Sequence, residues 1–320
     1  MTHYGVRGPE FINYVSDILA LGQLKPEYVR LLTEDDSMSM YATAFTSPGA
    51  DPDNNYEPLE FLGDSTLNKI IVWYLARRYP ELMNKENVKT MARLKINLVS
   101  KVTFAKFGRD LRTEPFITST EDEWVTSRTK LMEDTLEAFI GAIEYQIDAK
   151  IKMGAGYAIC YNIMKPILDA MEISLRHEDL YDSVTRLKEV FDAFHKIIGK
   201  VEYKTTQLDD GRPERTFVSK VFSVTPTGKS EIAEGVGKSS KAAEIAAAET
   251  AITFLANKGF VRVRGSVSTE SIPPDARVST RPKANYFVTQ IDVRGKTATG
   301  VGYTAEDSLQ RAVYNLQRHN

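Results

Sequence analysis

The chain has 320 residues, of which 42% are hydrophobic and 26% are charged, and its formal net charge is −2. This composition is ordinary for a globular protein and excludes a wholly disordered or collagen-like chain. No stretch approaches the roughly 18 uninterrupted apolar residues of a membrane span, and the N-terminus lacks the apolar core of a signal peptide. A single cysteine, Cys160, leaves no partner for an internal disulfide. We therefore expect an intracellular protein that makes no membrane contact.

Charge is unevenly distributed along the chain. Residues 1–182 carry a net charge of −8, residues 183–260 one of +2, and residues 261–320 one of +4. Chance scatter explains such a difference as well as function does. The functional interpretation is an acidic, metal-binding domain followed by modules that meet a polyanion.

Helical periodicity dominates the first part of the chain. Apolar residues recur at helical spacing in Phe11–Leu21, Leu59–Tyr79, Val88–Phe107, Leu131–Ile147 and Ile159–Ile173. Residues 46–55 are rich in Pro, Gly, Asp and Asn, so we expect an exposed loop there. The pattern predicts an all-α domain over residues 1–178.

After about residue 180 the pattern changes to helix, three strands, helix. An amphipathic helix is predicted at 183–199 and an alanine-rich helix at 239–256. Between them lie strand patterns, with a turn at 209–213, in Val201–Gln207, Thr216–Val224 and Ser230–Val236. These elements predict an α-β-β-β-α domain over residues 182–260.

The last part of the chain partly repeats this module. Residues 261–284 hold several prolines and no periodicity, which predicts a linker. Residues 285–320 then show two strand patterns, Gly300-Val301-Gly302 and a helix, as Gly235-Val236-Gly237 precedes the earlier helix. We therefore predict a multidomain α and α+β protein that ends in a partial β-β-α segment.

Two stretches set paired carboxylates on one face of an apolar helix. Glu60 and Asp64 are four residues apart, and Asp134 and Glu137 are three apart. Carboxylates near a core are costly unless a cation neutralises them, and oxygen-only ligands suit Mg²⁺ or Mn²⁺. Solvated helix faces beside the apolar stripe remain the alternative at this point.

Residues 57–67, Glu-Pro-Leu-Glu-Phe-Leu-Gly-Asp-Ser-Thr-Leu, closely resemble the ribonuclease III signature at ten of eleven positions. Residues 134–141 resemble the second acidic motif of that family, and the resemblance covers about residues 35–150. Residues 182–257 resemble a double-stranded-RNA-binding domain, because 235–244 match the pattern at the start of its second helix.

The ribonuclease III resemblance implies four metal-site carboxylates, which are Glu60, Asp64, Asp134 and Glu137. It assigns catalysis to Asp64, Glu137 and Lys130, the last by analogy with Dicer-like members that carry a lysine near the scissile phosphate. Glu57 matches an accessory acid, and Phe61 matches an aromatic residue in the interface of an obligate homodimer.

In the RNA-binding module, Lys238, Ser239 and Lys241 stand at the helix start, where the resemblance implies contact with the phosphates of double-stranded RNA. The partial repeat differs, because Glu306 takes the place of Lys241. We interpret residues 285–320 as a degenerate copy used for docking or protein contact, and its net positive charge leaves an auxiliary RNA role open.

Four departures from the family patterns stand out. Pro58 replaces the usual arginine of the signature, and Ser47 stands where a histidine is usual. In the RNA-binding module, Ser240 replaces the first of two paired lysines, and the loop at 211–214 lacks a common histidine. The two departures in the RNA-binding module predict weaker RNA binding. Catalysis is less affected, because all four metal-site carboxylates are present.

The resemblance implies a Mg²⁺-dependent endoribonuclease, with Mn²⁺ as a substitute, that cleaves both strands of double-stranded RNA. Its products would carry 5′-phosphate and 3′-hydroxyl ends with short 3′ overhangs. The alternative is a non-catalytic protein of the same family that binds or sequesters double-stranded RNA. The four intact carboxylates favour the enzyme.

Overall fold

The structure is a computed structural model that describes residues 1–208, 215–263 and 267–318. The chain divides into two compact units, Met1–Leu175 and Arg176–Asn320. Within the described ranges, none of the helices combines the length and the apolar composition that crossing a membrane requires.

The first unit is mainly helical. Its helices are α1 (Pro9–Leu21), α2 (Pro26–Leu31), α3 (Asp35–Ala44), α4 (Glu57–Arg78), α5 (Val88–Leu98), α6 (Lys101–Asp110), α7 (Glu121–Thr126), α8 (Arg128–Lys150) and α9 (Gly156–Asp169). Strand β1 (Thr2–His3) pairs antiparallel with β2 (Ser119–Thr120). The prediction of an all-α domain is therefore wrong in one detail, the short β1-β2 pair. Each of these strands has only two residues, which are too few to show an alternating pattern in the sequence.

One predicted helix is two helices in the structure. The apolar periodicity of Val88–Phe107 continues through the break between α5 and α6, so periodicity alone does not reveal it. The Ser100 hydroxyl caps α6 by accepting a hydrogen bond from the backbone N–H of Thr103 at 3.3 Å. This cap starts a new helix at Lys101.

Helix α8 forms the centre of the first unit. It contacts α3, α4, α6 and α9, and its side chains are buried on almost every side. Phe139 packs edge-on against Phe45, with ring centroids 5.0 Å apart. A helix enclosed in this way is fixed by its packing, so the polar residues that it carries are held in place too.

The second unit contains two similar halves. Its elements are α10 (His177–Leu180), α11 (Ser183–Ile198), β3 (Lys200–Leu208), β4 (Thr216–Thr225), β5 (Gly228–Gly237), α12 (Ser240–Asn257), β6 (Arg277–Pro282), β7 (Phe287–Val293), β8 (Lys296–Gly302) and α13 (Ala305–Arg318). The strands form two antiparallel sheets, in the orders β3-β4-β5 and β6-β7-β8. The turn predicted at 209–213 and the loop at 211–214 lie outside the described residues.

The first half has the helix and strand order that the sequence predicts. Helices α11 and α12 pack against the β3-β4-β5 sheet through Leu187, Phe194, Val221 and Ala251. The Gly-x-Gly repeat has a packing role in both halves, because a Cβ atom at Gly235 or at its counterpart Gly300 would collide with the backbone of the following helix.

The C-terminal half contains one strand more than the sequence indicates. Strand β6 lies inside residues 261–284, which the sequence predicts to be a linker. Its final residue, Pro282, is tolerated because β6 is an edge strand. Val267, Ile272 and Ala276 pack against the core beneath this sheet, so the part of the predicted linker from Val267 to Pro282 is packed on the C-terminal half.

The two halves of the second unit are bonded to each other. The backbone N–H of Val301 on β8 donates to the Gly259 carbonyl at 2.9 Å. The buried Asn315 amide donates to Ala256 O at 3.0 Å, and Arg311 donates to Val261 O at 3.0 Å. Residues of β8 and α13 therefore contact the segment at the end of α12 within the same unit.

Candidate active site

Two long helices of the first unit, α4 and α8, cross closely at a glycine of each acidic motif. A Cβ atom at Gly63 would collide with the carbonyl oxygen of Glu137, and one at Gly141 would collide with that of Leu59. Glycine is therefore required at both positions. The crossing brings the acidic face of α4 against that of α8.

Three of the four predicted metal-site carboxylates converge at this crossing. One carboxylate oxygen each of Glu60, Asp134 and Glu137 lies within 4.8 Å of the other two. Asp134 and Glu137 are buried, with 3% and 7% of their surface exposed. Asp64 is exposed, and one of its oxygens accepts a hydrogen bond from the Asn68 amide at 2.7 Å.

The carboxylates line a cavity of about 520 Å³. Its lining consists of Glu57, Glu60, Phe61, Asp64, Lys101, Lys130, Glu133, Asp134 and Glu137. Every predicted site residue of the first unit is therefore at this cavity. Its six carboxylates and two ammonium groups leave a formal surplus of four negative charges, an arrangement that is costly unless a cation neutralises it.

Asp134 is fixed by two partners. The Tyr56 hydroxyl donates a hydrogen bond to Asp134 Oδ2 at 2.8 Å. The Lys130 ammonium contacts the same oxygen from one turn earlier on α8. Both partners therefore occupy one oxygen of Asp134.

Burial and neighbouring carboxylates raise the pKa values of Glu60 and Glu137. Burial, followed by repulsion from Asp64, Glu133 and the other acids, raises the pKa of Glu137 from its ordinary 4.5 to about 8. Burial and the neighbouring Asp134 also raise the pKa of Glu60. A bound divalent cation would relieve this repulsion by favouring the charged carboxylates.

The sequence analysis missed three residues of the site, which are Tyr56, Lys101 and Glu133. Glu133 lies beside Asp134 in the sequence. Its spacing from Lys130 and Glu137 places it on the same helix face as they are, so it could have been predicted as a site residue. Lys101 comes from α6, and no local pattern connects it with either acidic motif.

The departures from the signature are accommodated locally. Pro58 lies in the first turn of α4, where a proline needs no hydrogen-bond partner for its nitrogen. Ser47 is buried and donates a hydrogen bond to Glu123 Oε2 at 2.7 Å. This bond connects the loop before α4 with α7, so Ser47 supports the fold beside the cavity.

The residues predicted to bind RNA lie in the second unit. Lys238, Ser239 and Lys241 are exposed around the start of α12. The Ser239 hydroxyl caps this helix by accepting a hydrogen bond from Ala242 N at 3.2 Å. In the C-terminal half, the exposed Glu306 and the half-buried Asp307 stand at the start of α13, so the two helix starts differ in charge.

Comparison with known proteins shows the family of the chain. A model of the ribonuclease III domain matches residues 57–146. A protein of Invertebrate iridescent virus 6 that carries the name ribonuclease 3 is 37% identical over 272 residues, which cover 81% of this chain and 91% of that protein. The chain belongs to the ribonuclease III family, and it is a nuclease of that family.

Other relatives come from a second virus and from bacteria. A Frog virus 3 protein, also named as a ribonuclease 3, is 36% identical over 55% of this chain and 47% of its own length. Ribonuclease 3 of Enterococcus faecalis is 31% identical over 61% of this chain and 79% of its own length. Among solved structures, the nuclease domain of ribonuclease III from Campylobacter jejuni covers 52% of the chain, at 20% identity and a TM-score of 0.39.

Proposed function

We propose that this chain is a Mg²⁺-dependent endoribonuclease that cleaves both strands of double-stranded RNA. Its products would carry 5′-phosphate and 3′-hydroxyl ends with short 3′ overhangs. The observation that carries the proposal is the convergence of Glu60, Asp134 and Glu137 in an acidic cavity.

The donor set fits a hard divalent cation. All three converging groups are carboxylates, and Mg²⁺ and Mn²⁺ prefer oxygen ligands. The cavity's surplus of four negative charges equals the charge of two such ions. We assign Glu60, Asp134 and Glu137 as ligands, with Asp64 and the accessory Glu57 completing the acidic lining.

Bound at this site, Mg²⁺ would polarise the phosphodiester and promote attack by water. The residues of the chain provide the rest of the environment. Tyr56 and Lys130 hold Asp134 in a fixed orientation through its Oδ2. Lys130 also supplies a positive charge that would stabilise the transition state at the phosphate.

RNA recognition is assigned to the second unit. Double-stranded RNA is read mainly through its phosphates and 2′-hydroxyls, because side chains cannot enter its deep major groove. Lys238 and Lys241 are exposed residues at the N-terminus of α12, and the Ser239 hydroxyl caps that helix. These contacts would bind duplexes of unrelated sequence.

Assembly as a homodimer is proposed through the start of α4. Phe61 is 77% exposed and Leu62 is 42% exposed. Such apolar side chains beside a functional cavity favour a self-complementary, two-fold interface.

The test is cleavage of a long RNA duplex in Mg²⁺ and in EDTA, followed by chemical analysis of the ends. Glu137→Gln should abolish cleavage while duplex binding persists, because the amide keeps the shape and loses the anionic ligand. Glu81→Gln, an exposed acid outside the cavity, is the matched control. If the wild-type chain binds duplex RNA and does not cleave it in Mg²⁺, the sequestering function replaces the proposal.

A further inference from the structure

The active-site cavity has a third wall, which comes from the N-terminus of α6. Lys101 is the first residue of that helix, and its side chain lines the cavity. Its ammonium group lies 3.2 Å from Glu133 Oε2 on α8. The side chain of Lys101 is 50% exposed, whereas that of Glu133 is 16% exposed. The pair therefore joins a mostly buried glutamate side chain to a half-exposed lysine side chain.

The stability of the fold does not explain this pair. A lysine in the first turn of a helix faces the positive end of the helix dipole, which is unfavourable. Glu133 also lies one turn before Glu137, and like charges at this spacing destabilise a helix. An ion pair with one half-exposed partner adds little to the free energy of unfolding.

We propose that Lys101 is a substrate-positioning residue whose ammonium group binds a phosphate of the RNA backbone at the rim of the cavity, and that Glu133 holds it there. The inference rests on the proposed function, because it names a contact for the same substrate. The carboxylates of the cavity cannot bind phosphates themselves, so a cation at the edge of the cavity has a direct use in holding the RNA backbone.

The two lysines of the cavity are placed for different tasks. Lys130, whose side chain is 54% exposed, contacts Asp134, one of the proposed metal ligands, so its charge acts beside the metal site. The Lys101 side chain is similarly exposed, at 50%, but it pairs with Glu133, which is not one of the proposed ligands, so its charge acts at the wall that α6 forms. A lysine ammonium group carries its charge on a flexible stem and can donate to phosphates in many orientations. Such a contact does not depend on the RNA sequence, because the phosphates carry no sequence information.

The first test compares Lys101→Ala with Lys106→Ala. Lys106 lies on the same helix, is 55% exposed and is paired with Asp110 at 2.6 Å, and it does not line the cavity. Lys101→Ala should raise KM for duplex RNA about tenfold and change kcat less than twofold, because one charge-assisted contact is lost. Lys106→Ala should leave both constants unchanged.

Conservative variants separate charge from structure. Lys101→Arg should restore most of the wild-type KM, because the charge is kept. Glu133→Gln should raise KM by less than Lys101→Ala does, since it frees the lysine without removing it. The variant that combines Lys101→Ala with Glu133→Gln should have a KM no higher than Lys101→Ala alone, because no lysine is left to hold.

A binding assay tests the inference without cleavage. In the full-length Glu137→Gln background, Lys101→Ala should weaken duplex binding and lower the slope of log affinity against log salt by about one. Equal effects of Lys101→Ala and Lys106→Ala would overturn the inference, and so would a fall in kcat at constant KM. A wild-type chain that fails to cleave would overturn the proposed function instead, while this assay still decides the role of Lys101.

Discussion

At Glu137, burial favours the protonated carboxyl group, whereas the proposed role as a metal ligand requires the ionised one. This residue lies on the enclosed helix α8, it faces other acids, and its pKa is raised to about 8. The side chain therefore holds a proton in the metal-free protein at pH values where an ordinary glutamate has lost it.

Stability in EDTA should depend on pH because of this residue. The native state retains the proton up to about pH 8, whereas the unfolded carboxyl loses it near 4.5. Folding stability should then fall as pH rises through this window, by at most about 1.4 kcal/mol per pH unit for one proton. Urea unfolding of the wild type and Glu137→Gln in EDTA, from pH 5 to 8, should show a flatter profile for the variant. Parallel profiles would contradict this account.

The lysines at the start of α12 give a second prediction at the residue scale. Replacing Lys238 and Lys241 with alanine should weaken binding about equally for duplexes of unrelated sequence, because phosphates carry no sequence information. The salt slope should decrease by one to two released counterions. Fluorescence titration at several salt concentrations measures both quantities.

Glu306→Ala is the control in the C-terminal half. Its helix start is acidic, so the change should alter affinity little. If Glu306→Ala lowers affinity as much as the double lysine change, the start of α13 is itself part of an RNA-binding surface.

At the scale of elements, the site depends on how closely α4 and α8 cross. Gly63→Ala should force the helices apart, because the added methyl group collides with the backbone of α8. Overpacking of this kind costs about 1–3 kcal/mol. Cleavage should be lost even where the variant remains folded, since the carboxylates no longer converge.

Thermal unfolding and a cleavage assay check this prediction. Ser65→Ala, at an exposed position two residues further along α4, is the matched control and should leave both unchanged. Wild-type stability and cleavage in Gly63→Ala would show that the close crossing is unnecessary.

The sequence predicts the long elements well, because they repeat a period many times. Helices α4 and α8 and strands β3, β4 and β5 lie where apolar periodicity and turn residues indicate. Brief elements such as the β1-β2 pair contain too few residues to establish a period. The break between α5 and α6 was missed because its signal is one capping serine within a continuous apolar pattern.

The residues of the candidate site that lie within the two acidic motifs could be predicted from the sequence. Glu60, Asp134 and Glu137 come from two contiguous motifs, and the structure brings them together. Lys101 belongs to neither motif and joins the cavity only through the packing of α6 on α8. Strand β6 was missed for a related reason, because its pairing with β7 depends on tertiary context.

For the whole molecule, the exposed Phe61 leads to a prediction about assembly. Phe61→Asp should shift the proposed dimer toward a single-chain species of 35.9 kDa, because a charge would stand in the exposed apolar patch of α4. Light scattering at micromolar concentration measures this shift. Met153→Asp, a change at a side chain that is 81% exposed, is the control and should not alter the mass. A wild type that is monomeric under these conditions would contradict the dimer.

The bond between β8 and the segment after α12 also bears on how the protein is made. Val301 belongs to the same buried core as Leu187, which the ribosome adds much earlier. At roughly 5–20 residues per second, the two are separated by on the order of ten seconds of synthesis. During that interval the apolar surface that Val301 covers is open to chaperones and proteases. Translation that stops before β8 would therefore release a chain whose second unit has an incomplete core.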